Sequence, residues 1–129
     1  MLAVQSVLTS DGQPIPSVSI LVLLDTGASG TLLQTNVVTG LGQESLGTVF
    51  LLTPSTTEPI ARQQFRIRLV FAADMAFEVD VVEAPLIGQN IQGLIGRDIL
   101  QFLKLTYDGP NNRFSLLRPG NRARQSGVV

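Results

Sequence analysis

The sequence predicts a single all-β domain, and three observations carry that prediction. Val, Ile, Leu and Thr dominate, hydrophobic residues reach 44%, and aromatics are few, with six Phe, one Tyr and no Trp. Branched residues of this kind fit a pleated, half-buried surface. Two segments alternate between apolar and polar residues, the period of a strand with one wet face. Pro, Gly and Asp-Gly signals punctuate the chain between the apolar runs. At 129 residues the chain is one domain, long enough to bury a core.

Leu2 to Leu8 is apolar with interleaved polar residues and reads as the first strand. Thr9 to Pro16 is a turn, because Asp11-Gly12 favours a hairpin and Pro14 and Pro16 forbid a central strand. Val18 to Leu24 is the second strand. Thr35 to Leu41 forms a short helical turn, with Thr35 as N-cap and Gly42 as stop. Leu46 to Leu52 is strand-like. Thr53 to Pro59 is small, polar and Pro-bounded, hence an exposed loop. Ile60 to Phe71 places Phe65, Ile67 and Leu69 on one face and Arg66 and Arg68 on the other. The strands around the Thr53 loop make a projecting hairpin, which serves either as a plain surface connection or as a cover over a cleft.

Ala72 to Asp74 turns the chain. Ala76 to Val82 alternates again, with Phe77, Val79 and Val81 facing one way, and Glu83 to Asn90 is irregular. Leu94 to Leu100 runs from a short strand through Gly96 into a helix that ends near Leu103. Leu105 to Tyr107 is a strand, Asp108 to Asn112 a turn, and Phe114 to Leu117 a closing strand. Arg118 to Val129 has little to bury and reads as a mobile tail. The domain is thus 1–117 and the tail 118–129.

Composition excludes several kinds of chemistry. The formal charge is −1 and no basic stripe precedes the tail, so no nucleic-acid partner is expected. There is no Cys, hence no disulfide and no thiolate nucleophile. There is no His, which removes the commonest general base and metal ligand and every Ser-His or Cys-His arrangement. Catalysis must rest on Asp, Glu, Lys, Tyr or bound water, and no metal or cofactor is expected. The N-terminus lacks the charged and apolar regions of a signal peptide, and no apolar run is long enough to cross a bilayer. A soluble, cytoplasmic setting with no membrane partner is the expectation.

One stretch stands out. Ile20 to Leu24 are five consecutive aliphatic residues that end at Asp25-Thr26-Gly27-Ala28-Ser29-Gly30. The run reads as a strand buried on both faces. Gly27 and Gly30 allow a tight loop. A carboxylate at the end of a buried strand is costly unless hydrogen-bonded or paired, which marks Asp25 as a candidate functional group. Taken alone, the Asp-Thr-Gly triplet serves equally well as a turn whose Asp accepts the Gly27 and Ala28 amides.

A second stretch, Leu94-Ile95-Gly96-Arg97-Asp98, follows about seventy residues later. The pair, in this order and spacing, resembles the retropepsins, the single-domain aspartic proteases related to retroviral proteases, and especially their bacterial relatives. Thr53-Pro54-Ser55-Thr56 and Tyr107-Asp108-Gly109 fit the same resemblance, which covers roughly Ser17 to Leu117. It implies a closed, barrel-like β fold with one short C-terminal helix. It implies a homodimer that cleaves peptide or protein substrates, each subunit giving one Asp. Asp25 matches the catalytic Asp. Thr26 matches the Thr that braces the loop across the dimer axis. Gly27 matches the residue that meets the substrate backbone. Ile95 and Gly96 belong to the segment supporting the loop from below. Gly27, Ala28 and Ser29, with Thr53, Pro54, Ser55 and Thr56 at the position of the family's flap, are the implied substrate contacts. The outer strands, Leu2 to Leu8 and Phe114 to Leu117, are placed to pair across the dimer as related termini do. Two positions depart from the retroviral pattern: the flap loop has no Gly, and Ser29 stands where an acidic residue usually pairs with the helix Arg.

Two carboxyls within hydrogen-bonding distance share one proton, and such a pair activates water without His, Cys or metal. Only one Asp-Thr-Gly is present, so a twofold axis must supply the second. Three other readings stay open at this level. The same fold can serve as a dimerisation or peptide-binding module. Leu24 to Thr31 also resembles the phosphate loop of the actin and sugar-kinase fold, which needs two larger lobes. Asp98 or Asp80 can be imagined as a second acid within the chain. Asp98 is better placed to cap or neutralise the helix start, and Asp80 to be solvated.

Overall fold

The computed structural model describes residues 2–6, 16–51, 57–86, 88 and 90–119. Most of them are in strands: β1 (Leu2–Ser6), β2 (Ser17–Ile20), β3 (Val22–Leu24), β4 (Leu32–Gln34), β5 (Gly47–Leu51), β6 (Ile60–Ala72), β7 (Met75–Ala84), β8 (Gly93–Ile95), β9 (Lys104–Asp108) and β10 (Arg113–Leu117). Two short helices, α1 (Thr35–Gly40) and α2 (Arg97–Leu100), complete the described elements. Eight strands form one sheet in the order β2-β1-β6-β7-β4-β8-β3, with β5 paired to β6, and β9 and β10 form a separate ribbon. The large sheet curls into a half-barrel of an all-β fold.

The alternating segments behave as their period requires. β6 and β7 pair antiparallel, setting Phe65, Ile67 and Leu69 opposite Val81, Val79 and Phe77. Ile67, Leu69 and Val81 are fully buried, at the centre of a core that also takes Leu2, Val4, Ile20, Leu33 and Ile95. On the outer face Arg66 donates to Asp80 at 2.5 Å, and that hydrogen bond holds the guanidinium above its usual range. A pair this exposed adds little to stability. Asp80 is therefore paired as well as partly solvated.

Two local readings shift by a residue or two. β7 continues through Glu83 and Ala84, where an irregular segment was expected. There it gains a parallel partner, β4, with Leu33 opposite Glu83 and Gln34 opposite Ala84. Thr35 is the first helical residue rather than the cap, and Gln34 before it makes no side-chain cap. Gly42, at φ +69°, stops the helix as expected. After α2, turn hydrogen bonds carry on to Leu103.

The run before Asp25 is not buried on both faces. Ile20 is fully buried, and Val22 and Leu24 pack against the core. Leu21 and Leu23 are each 48% exposed. The run is also broken at Leu21, where the strand leaves its β1 partner and, as β3, joins β8 in parallel. Gln92 spans the break: its side-chain Oε1 accepts the Leu21 amide at 2.9 Å, and its own amide donates to the Leu21 carbonyl at 2.8 Å. β2 and β3, the two ends of the sheet path, are thus consecutive in sequence, and Leu21 between them is bonded to both the side chain and the backbone of Gln92.

β1 is paired on both sides, to β2 and β6, so it does not offer an edge to another chain as expected. β10 is paired to β9 alone among the described strands. Arg118, the first residue after β10, lies over the Phe77 ring, 4.9 Å from its centroid. Most of the predicted Thr9 turn, Thr53 to Thr56, and the tail beyond Pro119 lie outside the described residues. Among the described residues no helix is long and apolar enough to cross a membrane.

Adjacent substitutions in the broken run should separate its two faces. Ile20→Ala is expected to cost about 3 kcal/mol in urea unfolding. Leu21→Ala, half solvated already, should cost about 1 kcal/mol. Equal losses at both would contradict one-sided burial.

Candidate active site

The Asp25 loop is built onto β8 and α2. β3 runs parallel to β8 with Leu24 opposite Ile95, and the ladder continues one step further, the Asp25 amide donating to the Ile95 carbonyl at 2.9 Å. The chain then turns, with the Ala28 amide bonded to the Asp25 carbonyl at 3.2 Å. The Asp25 carboxylate folds back on this turn, its Oδ1 accepting the Gly27 amide at 2.9 Å. Of the two turn-cap bonds the sequence suggested for the side chain, only the Gly27 one is made. A Cβ on Gly27 would stand 3.2 Å from the same Oδ1. Gly27 thus keeps room for the carboxylate. Oδ2 has no hydrogen-bond partner among the described residues, and Asp25 is half-buried in the single chain.

Beneath the loop, the backbone of Gly96 lies against it. A Cβ on Gly96 would meet the Gly30 carbonyl oxygen at 2.4 Å and the Ala28 oxygen at 2.9 Å. No side chain fits there, because backbone atoms of two segments are in direct contact. The contact is stitched by hydrogen bonds. The Arg97 amide donates to the Ala28 carbonyl at 2.8 Å, and the Gly96 amide to Thr31 Oγ1 at 3.3 Å. Arg97, with Ser rather than an acid at position 29, directs its side chain to the loop backbone, Nη1 donating to the Thr26 carbonyl at 2.9 Å.

Asp98 closes the far end of the loop. Its Oδ2 accepts the Thr31 amide at 3.1 Å, and its Oδ1 accepts both the Thr31 hydroxyl at 2.8 Å and the Ile99 amide at 2.9 Å. Thr31 is 1% exposed, so these bonds satisfy polar groups that water cannot reach. Asp98 sits within α2 rather than at its N-cap, which is Gly96. Its oxygens are committed to Thr31 and Ile99, and Asp80 is committed to Arg66, so neither serves as a second acid beside Asp25.

The structure therefore brings together Asp25, Thr26, Gly27, Ala28, Ile95 and Gly96 among the residues singled out from sequence. Thr26 and Ser29 are exposed, and Ala28 is half-buried. Thr53, Pro54, Ser55 and Thr56 lie outside the described residues. Sequence reading missed Thr31 as the buried anchor of the loop and Asp98 as its partner. The available signal was a Thr at the head of an apolar strand together with an Asp two residues beyond the packed Gly.

Substitutions at two positions test this support. Gly96→Ala forces the loop backbone away and should cost about 3 kcal/mol. Asp98→Ala leaves two Thr31 donors without a partner and should cost about 3 kcal/mol. Asp98→Asn keeps one good acceptor and should lose about half as much. Chemical denaturation with the Asp25 loop followed by amide exchange reads both; a silent Gly96→Ala would contradict the contact.

A family model described as Aspartyl protease matches residues 8–99, a span that holds the Asp25 loop, the Ile95–Gly96 support and Asp98. Searches of curated proteins and of solved structures return no significant match. The matched span covers most of the chain and includes both segments that meet beneath Asp25: the protein belongs to the retropepsin-like aspartyl protease family.

Proposed function

We propose that the protein is a homodimeric aspartic endopeptidase in which two Asp25 carboxyls, one per subunit, activate a water molecule against a peptide bond. The observation that carries this is the single Asp25. Its loop is fixed from below at Ile95, Gly96 and Asp98, one carboxylate oxygen is held by the Gly27 amide, and the other is unengaged among the described residues. One such carboxylate is a poor acid and a weak base. Two facing each other share a proton, so that one takes a proton from water while the other donates to the scissile carbonyl oxygen.

The surface beside the loop supports a second copy. Leu21 and Leu23 leave their side chains half exposed next to Asp25. An apolar groove of about 290 Å³ is lined by Leu2, Val22, Leu23, Leu24, Phe71, Phe114 and Leu116. On β9 and β10 Tyr107 and Phe114 stack at 4.8 Å while remaining 59% and 57% exposed. A two-stranded ribbon with exposed aromatics is marginal alone and gains from added strands. In this reading β10 supplies the free edge at the dimer, Thr26 braces its counterpart across the axis, and an extended peptide lies between the Asp25 pair and the two arms formed by β5 and β6. Gly27, Ala28 and Ser29 line its path.

Cleavage of a peptide library at mildly acid pH should fall at least about a thousandfold in Asp25→Asn. A ninefold excess of Asp25→Asn chains should lower activity per wild-type chain about tenfold, because most wild-type chains then face a partner without the acid. Activity indifferent to both would sink the shared-acid reading, and tight peptide binding without turnover would assign the fold to a binding module instead.

A further inference from the structure

The ladder between β6 and β7 ends at Gln64, opposite Val82. Beyond that point Ile60 to Gln63 pair only with β5, from Thr48 to Leu51, so the two strands leave the sheet as an arm. At the point of departure a side chain takes over from the backbone. Glu83, the next residue of β7, accepts the Gln63 amide on Oε1 at 3.3 Å, extending the ladder by one rung. Its Oε2 accepts the hydroxyl of Thr35, the first residue of α1, at 2.5 Å. The Gln63 side chain ties the other strand of the arm to the same root, donating to Thr48 Oγ1 at 3.0 Å and accepting from Ser45 Oγ at 2.6 Å. α1 follows β4 directly, and β4 is the strand that leaves the Asp25 loop.

One carboxylate therefore links three bodies: the sheet that carries it, the root of the arm, and the helix after the Asp25 loop. A two-stranded ribbon without a sheet beneath it has little stiffness of its own, so its direction is set at its root. We propose that Glu83 is a positioning residue, a hinge pin that fixes the β5–β6 arm relative to α1 and the Asp25 loop. Its effect on substrate affinity rests on the endopeptidase reading; its effect on the arm does not.

The test uses the full chain with Glu83→Gln, Glu83→Ala and Thr35→Val, and with Asp80→Ala as a control on the same strand that touches no residue of the arm's root. Amide exchange at Val49 to Leu51 and at Ala61 to Gln63 should quicken about tenfold in Glu83→Ala and less in Glu83→Gln, while Ile67 to Val70 and β1 stay unchanged. Thr35→Val should act in the same direction, and combining it with Glu83→Gln should add less than the sum of the two. In cleavage assays KM should rise severalfold with kcat nearly kept. Exchange at the arm equal to wild type, a uniform rise over the whole chain, or the same pattern in Asp80→Ala would overturn the hinge. If the exchange pattern appears but no variant and no wild type cleaves any peptide, the hinge stands and the endopeptidase reading fails.

Discussion

Everything at the candidate site depends on a contact between two pieces of backbone. Gly96 lies so close to Gly30 and Ala28 that even one methyl group would be excluded. Around that contact, Ile95, Arg97 and Asp98 donate to or accept from Asp25, Thr26, Ala28 and Thr31 in turn. Each bond alone contributes modestly in water. Together they tie the loop to one neighbouring segment at Asp25, Thr26, Ala28 and Thr31, which restricts how it can rearrange. The Asp25 carboxylate is in turn held to this loop by the Gly27 amide.

The strand framework was legible from sequence because its signals are local. Alternation placed Ile67, Leu69, Val79 and Val81 on the correct face, and Gly42 stopped α1 where a left-handed residue was required. The Asp25 loop and its Ile95–Gly96 support were also legible, through spacing and resemblance. What was not legible depends on partners distant in sequence. The extension of β7 through Ala84 follows from pairing with β4, and no local pattern announces it. Thr31 carries no local mark of its role, which comes from Asp98, 67 residues further along the chain.

The misreading of Ile20 to Leu24 has a physical lesson of its own. A continuous aliphatic run argues for burial on both faces, and within one chain only one face is covered. Leu21 and Leu23 instead leave half of their apolar surface exposed on the strand that leads to Asp25. With Tyr107 and Phe114 on the ribbon, they add to the large apolar side chains that this chain alone leaves exposed, the kind of surface on which the proposed dimer rests.

The two halves of the Asp25 support also differ in when they exist. During synthesis the loop emerges long before the Gly93 to Leu100 segment that holds it, since the ribosome delivers the chain from its N-terminus. Until that later segment arrives, Asp25 lacks its ladder rung at Ile95 and Thr31 lacks its anchor at Asp98. The order of the chain therefore sets an order of assembly: a nascent chain short of Gly93 carries Asp25 without the segment on which its loop rests.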